Sequence, residues 1–530
     1  MGVANMRLIH LRKSRPVVAV LASALLLTSI HVIPASAGPA GVERTRVASG
    51  WGEPNGDKAS TRRVGGPVNS GNVGSLQQVW TAPLVGNTDR YVGTHSATPV
   101  VAGGVMYTQD HSSNVYAIDL RTGRQLWTKL YHSESNGPTG VAVGDGRVFG
   151  GTADSVFALD ARTGTQLWIK KITRNENEGI DMAPGYDNGT VLMSTVPGVY
   201  GGFYKGNGQG VVWALDGRTG ATKWKFETVP ADLWGMPDVN SGGGLWYPPS
   251  FDARGDVYLA VTNPAPFPGT SDYPWGQSRP GANLYTNSVV KLNGRTGKLV
   301  WYNQASPHDI YDWDLQNSPI VTTAGRRPVV IGSGKAGFVY SYDQATGKTL
   351  WKTAVGIHNG HEGDNLLAMN GQYDKLPQLP VEIFPGVLGG MPAPLAVDDT
   401  TIYAAVNDMG ATWTTQGLPT LPPFDQGKGV MVALDKVTGA IKWQHPLDHS
   451  PYGASSIVND VVFTTTYEGK VHALSTKTGA EIWSAQLPAG SNSPVMIDGD
   501  TVVAVGGYPL TPDQKPTIVA YRLPADCPRR

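Results

Sequence analysis

A chain of 530 residues in which 42 Lys+Arg balance 42 Asp+Glu, with only 16% of residues charged, has no basic field to hold nucleic acid and no acidic field to hold a polycation. Its 67 glycines and 39 prolines suit many tight turns and few helices, and 40% hydrophobic residues exclude wholesale disorder. A single cysteine, Cys527, rules out a disulfide framework, a Cys-rich zinc site, an iron–sulfur cluster and a covalently attached c-type haem.

The chain opens on an address. Arg7, Arg12, Lys13 and Arg15 form a positive start, residues 17–33 are mostly apolar, and Pro34-Ala-Ser-Ala37 before Gly38 offers a small-x-small cleavage site. Residues 1–37 are therefore predicted to be a secretory signal peptide and the mature protein to be secreted and extracytoplasmic. Ser23, Ser29 and His31 interrupt the apolar run, and no later stretch approaches a membrane-spanning helix, so no membrane span is expected. Residues 38–74 read as an N-terminal leader segment.

From there one phrase repeats. Val115-Tyr-Ala-Ile-Asp119 leads through Thr122-Gly123 to Trp127, and Val156-Phe-Ala-Leu-Asp160 leads through Thr163-Gly164 to Trp168. Further copies end at Trp224, Trp301, Trp351, Trp443 and Trp483, each with Thr-Gly shortly before the Trp. Alternating apolar positions make a strand, the Thr-Gly segment makes a tight turn, and the return strand bears the Trp. A second β-rich phrase, such as Thr98-Pro-Val-Val101 with Val105-Met-Tyr107, precedes each hairpin. Two hairpins give a four-stranded blade, the unit of a propeller.

Trp80 has no hairpin before it, and Ile518-Val-Ala-Tyr521 has the strand without a following Trp. Together they complete one more blade. The predicted fold is all-β: an eight-bladed β-propeller over residues 75–525, its ring closed by N- and C-terminal strands. The longest intervals, before Trp301 and Trp443, hold the largest inserts, and inserts on a rigid ring are where function is usually placed.

The Ala-x-Asp-x-x-Thr-Gly-x-x-x-Trp phrase resembles the tryptophan-docking repeat of bacterial quinoprotein alcohol dehydrogenases, eight-bladed propellers that use pyrroloquinoline quinone (PQQ). The inserts extend the likeness. Trp246-Tyr-Pro-Pro-Ser-Phe-Asp252 followed by Asn263-Pro-Ala-Pro266 is similar to a family signature in which the Trp is the floor for the quinone and the Asn a metal ligand. Gln304-Ala-Ser-Pro-His-Asp309-Ile-Tyr-Asp312-Trp-Asp314 is similar to the family's Gln-x-x-Pro-His/Asn-Asp-x-Trp-Asp segment, whose first Asp acts as catalytic base beside the metal. Lys335-Ala-Gly-Phe338 looks like the strand whose cation reaches the quinone oxygen. The resemblance thus implies Asp309 and Lys335 as catalytic, Trp246 and Lys335 as cofactor-binding, and Asn263 and Asp309 as metal ligands. It also implies PQQ and Ca2+ as cofactors and an alcohol or polyol as substrate. A separate electron acceptor is expected, because the chain lacks a haem motif. The residue types suit that chemistry: a flat aromatic platform, oxygen ligands for a hard cation, a cationic donor and a carboxylate base.

The sequence also departs from the family. No vicinal Cys pair exists, residues 191–198 contain no acid where the family has a metal-binding Glu, Thr139 stands where an Arg pairs a quinone carboxylate, and Asp181 stands where a Thr is usual. A non-catalytic propeller scaffold or ligand-binding protein of the cell envelope therefore stays open as the alternative. Gly332-Ser-Gly334-Lys-Ala-Gly337 precedes a strand rather than a helix, so it lacks the dinucleotide-binding mechanism. His358-Asn-Gly-His361-Glu362-Gly-Asp364 has metal-like residue types but reads as a polar loop.

Overall fold

A computed structural model of the protein describes residues 50–86, 93–135, 137–198 and 205–525. The expected signal peptide, the first part of the expected leader and Cys527 lie outside these residues. Among the described residues the strands form eight blades of four antiparallel strands, one of which gains a fifth.

Each repeat folds as its alternation dictates. Val115–Asp119 pairs with Gln125–Lys129 so that Ala117 faces Trp127 beside a bulge. The same register sets Ala158 opposite Trp168, Ala214 opposite Trp224, Ala433 opposite Trp443 and Ala473 opposite Trp483. It also sets Ala520 opposite Trp80, across the two ends of the chain. The last blade therefore has the strand order Gln77–Pro83, Thr517–Arg522, Thr501–Gly506, Met496–Asp498, and the ring closes on it.

The turn chemistry explains how blades stack. In the first turn Asp119 accepts hydrogen bonds from the Thr122 amide and hydroxyl at 2.8 and 2.7 Å, and Asp160, Asp216, Asp343 and Asp435 do the same for their own threonines. The glycine that follows takes a left-handed φ, +74° at Gly123 and +71° at Gly347. It also gives the preceding blade's indole room to close in. A Cβ on Gly347 would lie 2.4 Å from Trp301 Cε3, and Gly123, Gly164, Gly220, Gly297, Gly439 and Gly479 meet Trp80, Trp127, Trp168, Trp224, Trp351 and Trp443 in the same way. Most of these indoles donate Nε1–H to a carbonyl of that turn, as Trp80 does to Leu120 O and Trp301 to Gln344 O. The tryptophans are thus equivalent in register, and all but Trp483, which packs edge-on against Tyr521 instead, share the glycine socket, but they differ in burial. Trp224 and Trp301 are buried, whereas Trp127, Trp168, Trp351, Trp443 and Trp483 are half-buried because the outer strands form the rim of the ring.

Gly347→Ala is expected to cost about 1–3 kcal/mol in denaturant unfolding through overpacking and strained φ. Gly146→Ala is the control, since Gly146 has the same φ of +71° and open space around it. Equal losses in the two variants would show that the indole contact contributes nothing.

Residues 50–64, expected as part of a leader, are built into the ring. The carbonyls of Trp51, Lys58, Ala59, Thr61 and Arg62 accept hydrogen bonds from the amides of Val101, Phe251, Val321, Val397 and Ile457. Those five amides belong to the first strands of five blades, so the segment satisfies open strand edges around the inside of the ring. Arg63–Val64 pairs in parallel with Ser456–Val458 as the fifth strand of its blade. The Arg62 guanidinium is fully buried and donates to Ser455 O, Asn55 Oδ1 and Ser456 Oγ.

In an up-and-down blade the first–second and third–fourth turns share one end of the ring. The second–third connections and the links between blades share the other. Trp246 and residues 305–319 lie on links between blades; Asn263 and Lys335 lie on second–third connections. All the motifs that resemble a quinone site therefore fall at one end, opposite the Thr-Gly turns.

Candidate active site

Four side chains converge there. Asn263 follows the strand Val257–Val261; its Nδ2 donates to Asp312 Oδ1 at 2.8 Å and its backbone amide to Asp314 Oδ1 at 2.7 Å. Lys335 follows the strand Arg327–Ser333, and its Nζ sits between Asp312 Oδ2 at 2.8 Å and Asp314 Oδ2 at 2.7 Å. All four residues are at most 9% exposed. Burial pushes the Asp312 carboxyl well above the usual carboxylate range, with Lys335 opposing that shift and Asp314 and Asp309 adding to it. Burial works against the Lys335 ammonium too, but Asp312 and Asp314 outweigh it and hold the lysine protonated.

Asp309 makes no hydrogen bond or ion pair with Asn263 or Lys335, although its charge acts on Asp312. Its carboxylate accepts from the backbone amides of Tyr311 at 2.9 Å and Trp313 at 2.6 Å and from Asn287 Nδ2 at 3.1 Å, so it braces its own loop. Burial raises its carboxyl to about 6 although these donors pull the other way. An extended segment would turn Asp312 and Asp314 away from the reactive side. The segment is not regularly extended, because Asp312 has a left-handed φ of +61°. The signal that points to Asp312 is in the motif itself, for Tyr311-Asp312 stands at the position of the family's Trp-Asp pair.

Trp246 is half-buried on the link after the strand Thr222–Glu227. Its neighbour Tyr247 donates to Pro392 O at 3.0 Å and feels the charges of Arg62 and Lys335. Thr195 and Asp181, at positions that depart from the family, spend their side chains on the protein. Thr195 donates to Gln209 O and accepts from the Val211 amide. Asp181 accepts from Ser135 at 3.1 Å, and its carbonyl takes the Thr139 amide. Polar atoms at this end are buried without a protein hydrogen-bond partner, among them Thr139 Oγ1, Gln316 Oε1, Asn317 Oδ1 and Asn407 Oδ1.

Among the described residues no three His, Cys, Asp or Glu side chains converge on a point as a ready cage for a metal. The donors present are oxygens of Asn263, Asp312 and Asp314, with Asp309 close enough to raise Asp312. Asp309, Asp312 and Asp314 stand against two buried cations, the Lys335 ammonium and the Arg279 guanidinium whose charge acts on Asp309, which leaves carboxylate in surplus. Hard donors with surplus negative charge fit a hard cation and not zinc. The half-buried Trp246, the Lys335 ammonium and these unpaired polar atoms fit a flat polar cofactor at the same end.

Both long inserts hold this loop. From the first, Arg279 donates to Asp309 O at 2.7 Å and to Pro266 O, and Asn287 bonds the Asp309 carboxylate. From the second, Asn365 Oδ1 accepts the Ile310 amide at 3.0 Å.

Residues 51–355 match the family described as glucose/ethanol/alcohol dehydrogenase, beta-propeller domain, and residues 426–521 match outer membrane protein assembly factor BamB. The chain is 27% identical over 520 residues to quinoprotein alcohol dehydrogenase PedH of Pseudomonas putida, covering 84% of each chain. It is 26% identical to the lanthanide-dependent methanol dehydrogenase of Methylorubrum extorquens, covering 81% of each. In fold it resembles the solved quinohemoprotein alcohol dehydrogenase of Comamonas testosteroni, with a TM-score of 0.75, 24% identity and coverage of 90% of this chain and 80% of that one. Trp246, Asn263, Asp312, Asp314 and Lys335 all lie inside the dehydrogenase match.

Proposed function

The chain belongs to the glucose/ethanol/alcohol dehydrogenase β-propeller family, and from that premise we propose that it is a PQQ-dependent dehydrogenase of an alcohol or polyol in which Asp312, rather than Asp309, receives the hydroxyl proton. The observation that supports this most is the convergence of Asn263, Asp312, Asp314 and Lys335 at the loop end of the ring.

When bound, PQQ supplies the two-electron acceptor for the alcohol's hydride. Trp246 offers the quinone its aromatic face. Asn263 and Asp312, with Asp314 beside them, offer oxygens to a hard cation: Ca2+, or a lanthanide as the name of the Methylorubrum relative suggests. Asp312, the carboxylate held against both Asn263 and Lys335, accepts the proton. Lys335 is the fixed cationic donor where negative charge grows on the acceptor. Asp309 keeps the loop folded. Electrons leave to a separate acceptor, and the mature protein, cleaved after Ala37, works outside the cytoplasm. Among the described residues no helix is long and apolar enough to cross a membrane.

The scaffold alternative draws on residues 426–521, a stretch that contains none of the five site residues. The deciding experiment reconstitutes the purified protein with PQQ and either Ca2+ or La3+ and follows dye reduction over a panel of alcohols, polyols and sugars. Cofactor-dependent dye reduction with at least one alcohol is expected. No reduction with any substrate and either cation would leave the scaffold reading standing.

A further inference from the structure

The loop His358–Asp364 has metal-like residue types, yet its side chains are spent elsewhere. His358 Nδ1 pairs with Glu362 Oε1 at 2.8 Å, while its Nε2 faces Gly337 O and Val355 O. His361 Nδ1 lies 2.8 Å from Asp364 Oδ2, and the same oxygen accepts the Tyr311 hydroxyl at 2.6 Å. Tyr311 is fully buried among Trp275, Trp313 and Trp413. On the other side of Asp312, Trp313 donates Nε1–H to Pro385 O at 2.8 Å. Behind Lys335, the Met391 amide donates to Gly334 O, and a Cβ on Gly390 would lie 2.2 Å from Lys335 O.

The two neighbours of Asp312 thus each place their only side-chain polar group on the second insert, and Asp312 between them holds φ +61°. A non-glycine residue in that region costs about 1–2 kcal/mol and persists only where its surroundings over-determine it. The family motif has Trp where this chain has Tyr311. A buried tyrosine hydroxyl needs a partner, and Asp364 provides it.

We propose that the insert of residues 356–391 positions the reactive centre, and that Asp364, oriented by His361, does so by anchoring Tyr311 so that the Asp312 carboxylate stays turned toward Asn263 and Lys335. This rests on the reading of Asp312 as the proton acceptor. Tyr311, Asp364 and His361 are positioning residues that act through Asp312.

The test uses the full chain with Tyr311→Phe or Asp364→Asn, and with Tyr302→Phe as the control on an exposed strand. Three readouts are taken: hydrogen exchange of the 306–316 peptide, affinity for Tb3+ without quinone, and kcat and KM of the reconstituted enzyme. Both variants are expected to exchange at least about tenfold faster at 306–316 with the other blades unchanged. Their Tb3+ affinity should fall about 10–100-fold, as is usual when an outer partner of a ligand is removed, and kcat should fall with KM for the alcohol nearly constant. Wild-type exchange and Tb3+ affinity in both variants would overturn the proposal, as would faster exchange spread over the whole ring. A wild type that neither binds Tb3+ nor oxidises any alcohol would sink the dehydrogenase reading instead, and the exchange data would still decide whether Asp364 holds the loop.

Discussion

Asp312→Asn is expected to lower kcat about 10²–10⁴-fold while the protein melts close to the wild-type temperature. An amide has no lone pair basic enough to take the alcohol proton, yet asparagine is nearly isosteric and tolerates a φ of +61° as well as aspartate does. Lys335 keeps its second partner, Asp314, at 2.7 Å, so no charge is stranded, and the Asn263 side-chain amide, which donates to Asp312 Oδ1, can turn its own oxygen to the new NH2, a freedom the fixed backbone amides on Asp309 lack. Asp309→Asn should behave in the opposite way. Its side chain receives two backbone amides and Asn287, and replacing one acceptor oxygen by an NH2 group sets donor against donor in a fully buried place. That loss is expected to cost about 1–3 kcal/mol of stability, seen as a lower denaturant midpoint. Measuring kcat and midpoint for both variants separates the roles. Full activity in Asp312→Asn with lost activity and unchanged stability in Asp309→Asn would return the proton transfer to Asp309.

Deleting residues 518–523 is expected to abolish the cooperative ring. Thr517–Arg522 lies between Gln77–Pro83 and Thr501–Gly506, and Ile518, Val519, Ala520, Tyr521 and Leu523 are at most 5% exposed. The large side chains among them contribute about 1.5–3 kcal/mol each by burial, a total comparable with the roughly 5–15 kcal/mol by which domains are stable. The deletion also exposes two strand edges that had been paired. Size-exclusion chromatography with a thermal melt should show aggregates and no sharp transition. A monomer melting at the wild-type temperature would mean that the strand does not close the ring.

The ring itself was legible because everything that builds a blade is local. Alternation, an Asp-to-Thr turn, a left-handed Gly and a returning Trp lie within about a dozen residues of one another, so each copy announces its hairpin. Even the closure could be read, since Trp80 and Ile518 to Tyr521 are the two missing halves of the same phrase and pair in the same register. The phrase did not reveal that its glycine is also a socket for the preceding blade's indole, because that contact crosses between repeats.

The site divides along the same line. Motif spacing located Asn263 and Lys335 at one end of the ring, since connection type and strand direction follow from the repeat. Which carboxylate they meet was decided by tertiary structure. The bonds that select Asp312 span 49 and 23 residues, and the left-handed turn that aims it depends on anchors in an insert with no periodicity to read. Residues 50–64 were equally silent, because their backbone is bonded to strand edges far along the chain and not to their own neighbours. Sequence alone determined the pieces that hydrogen-bond to themselves; wherever a residue's partner lies in another blade or insert, only the closed ring supplied it.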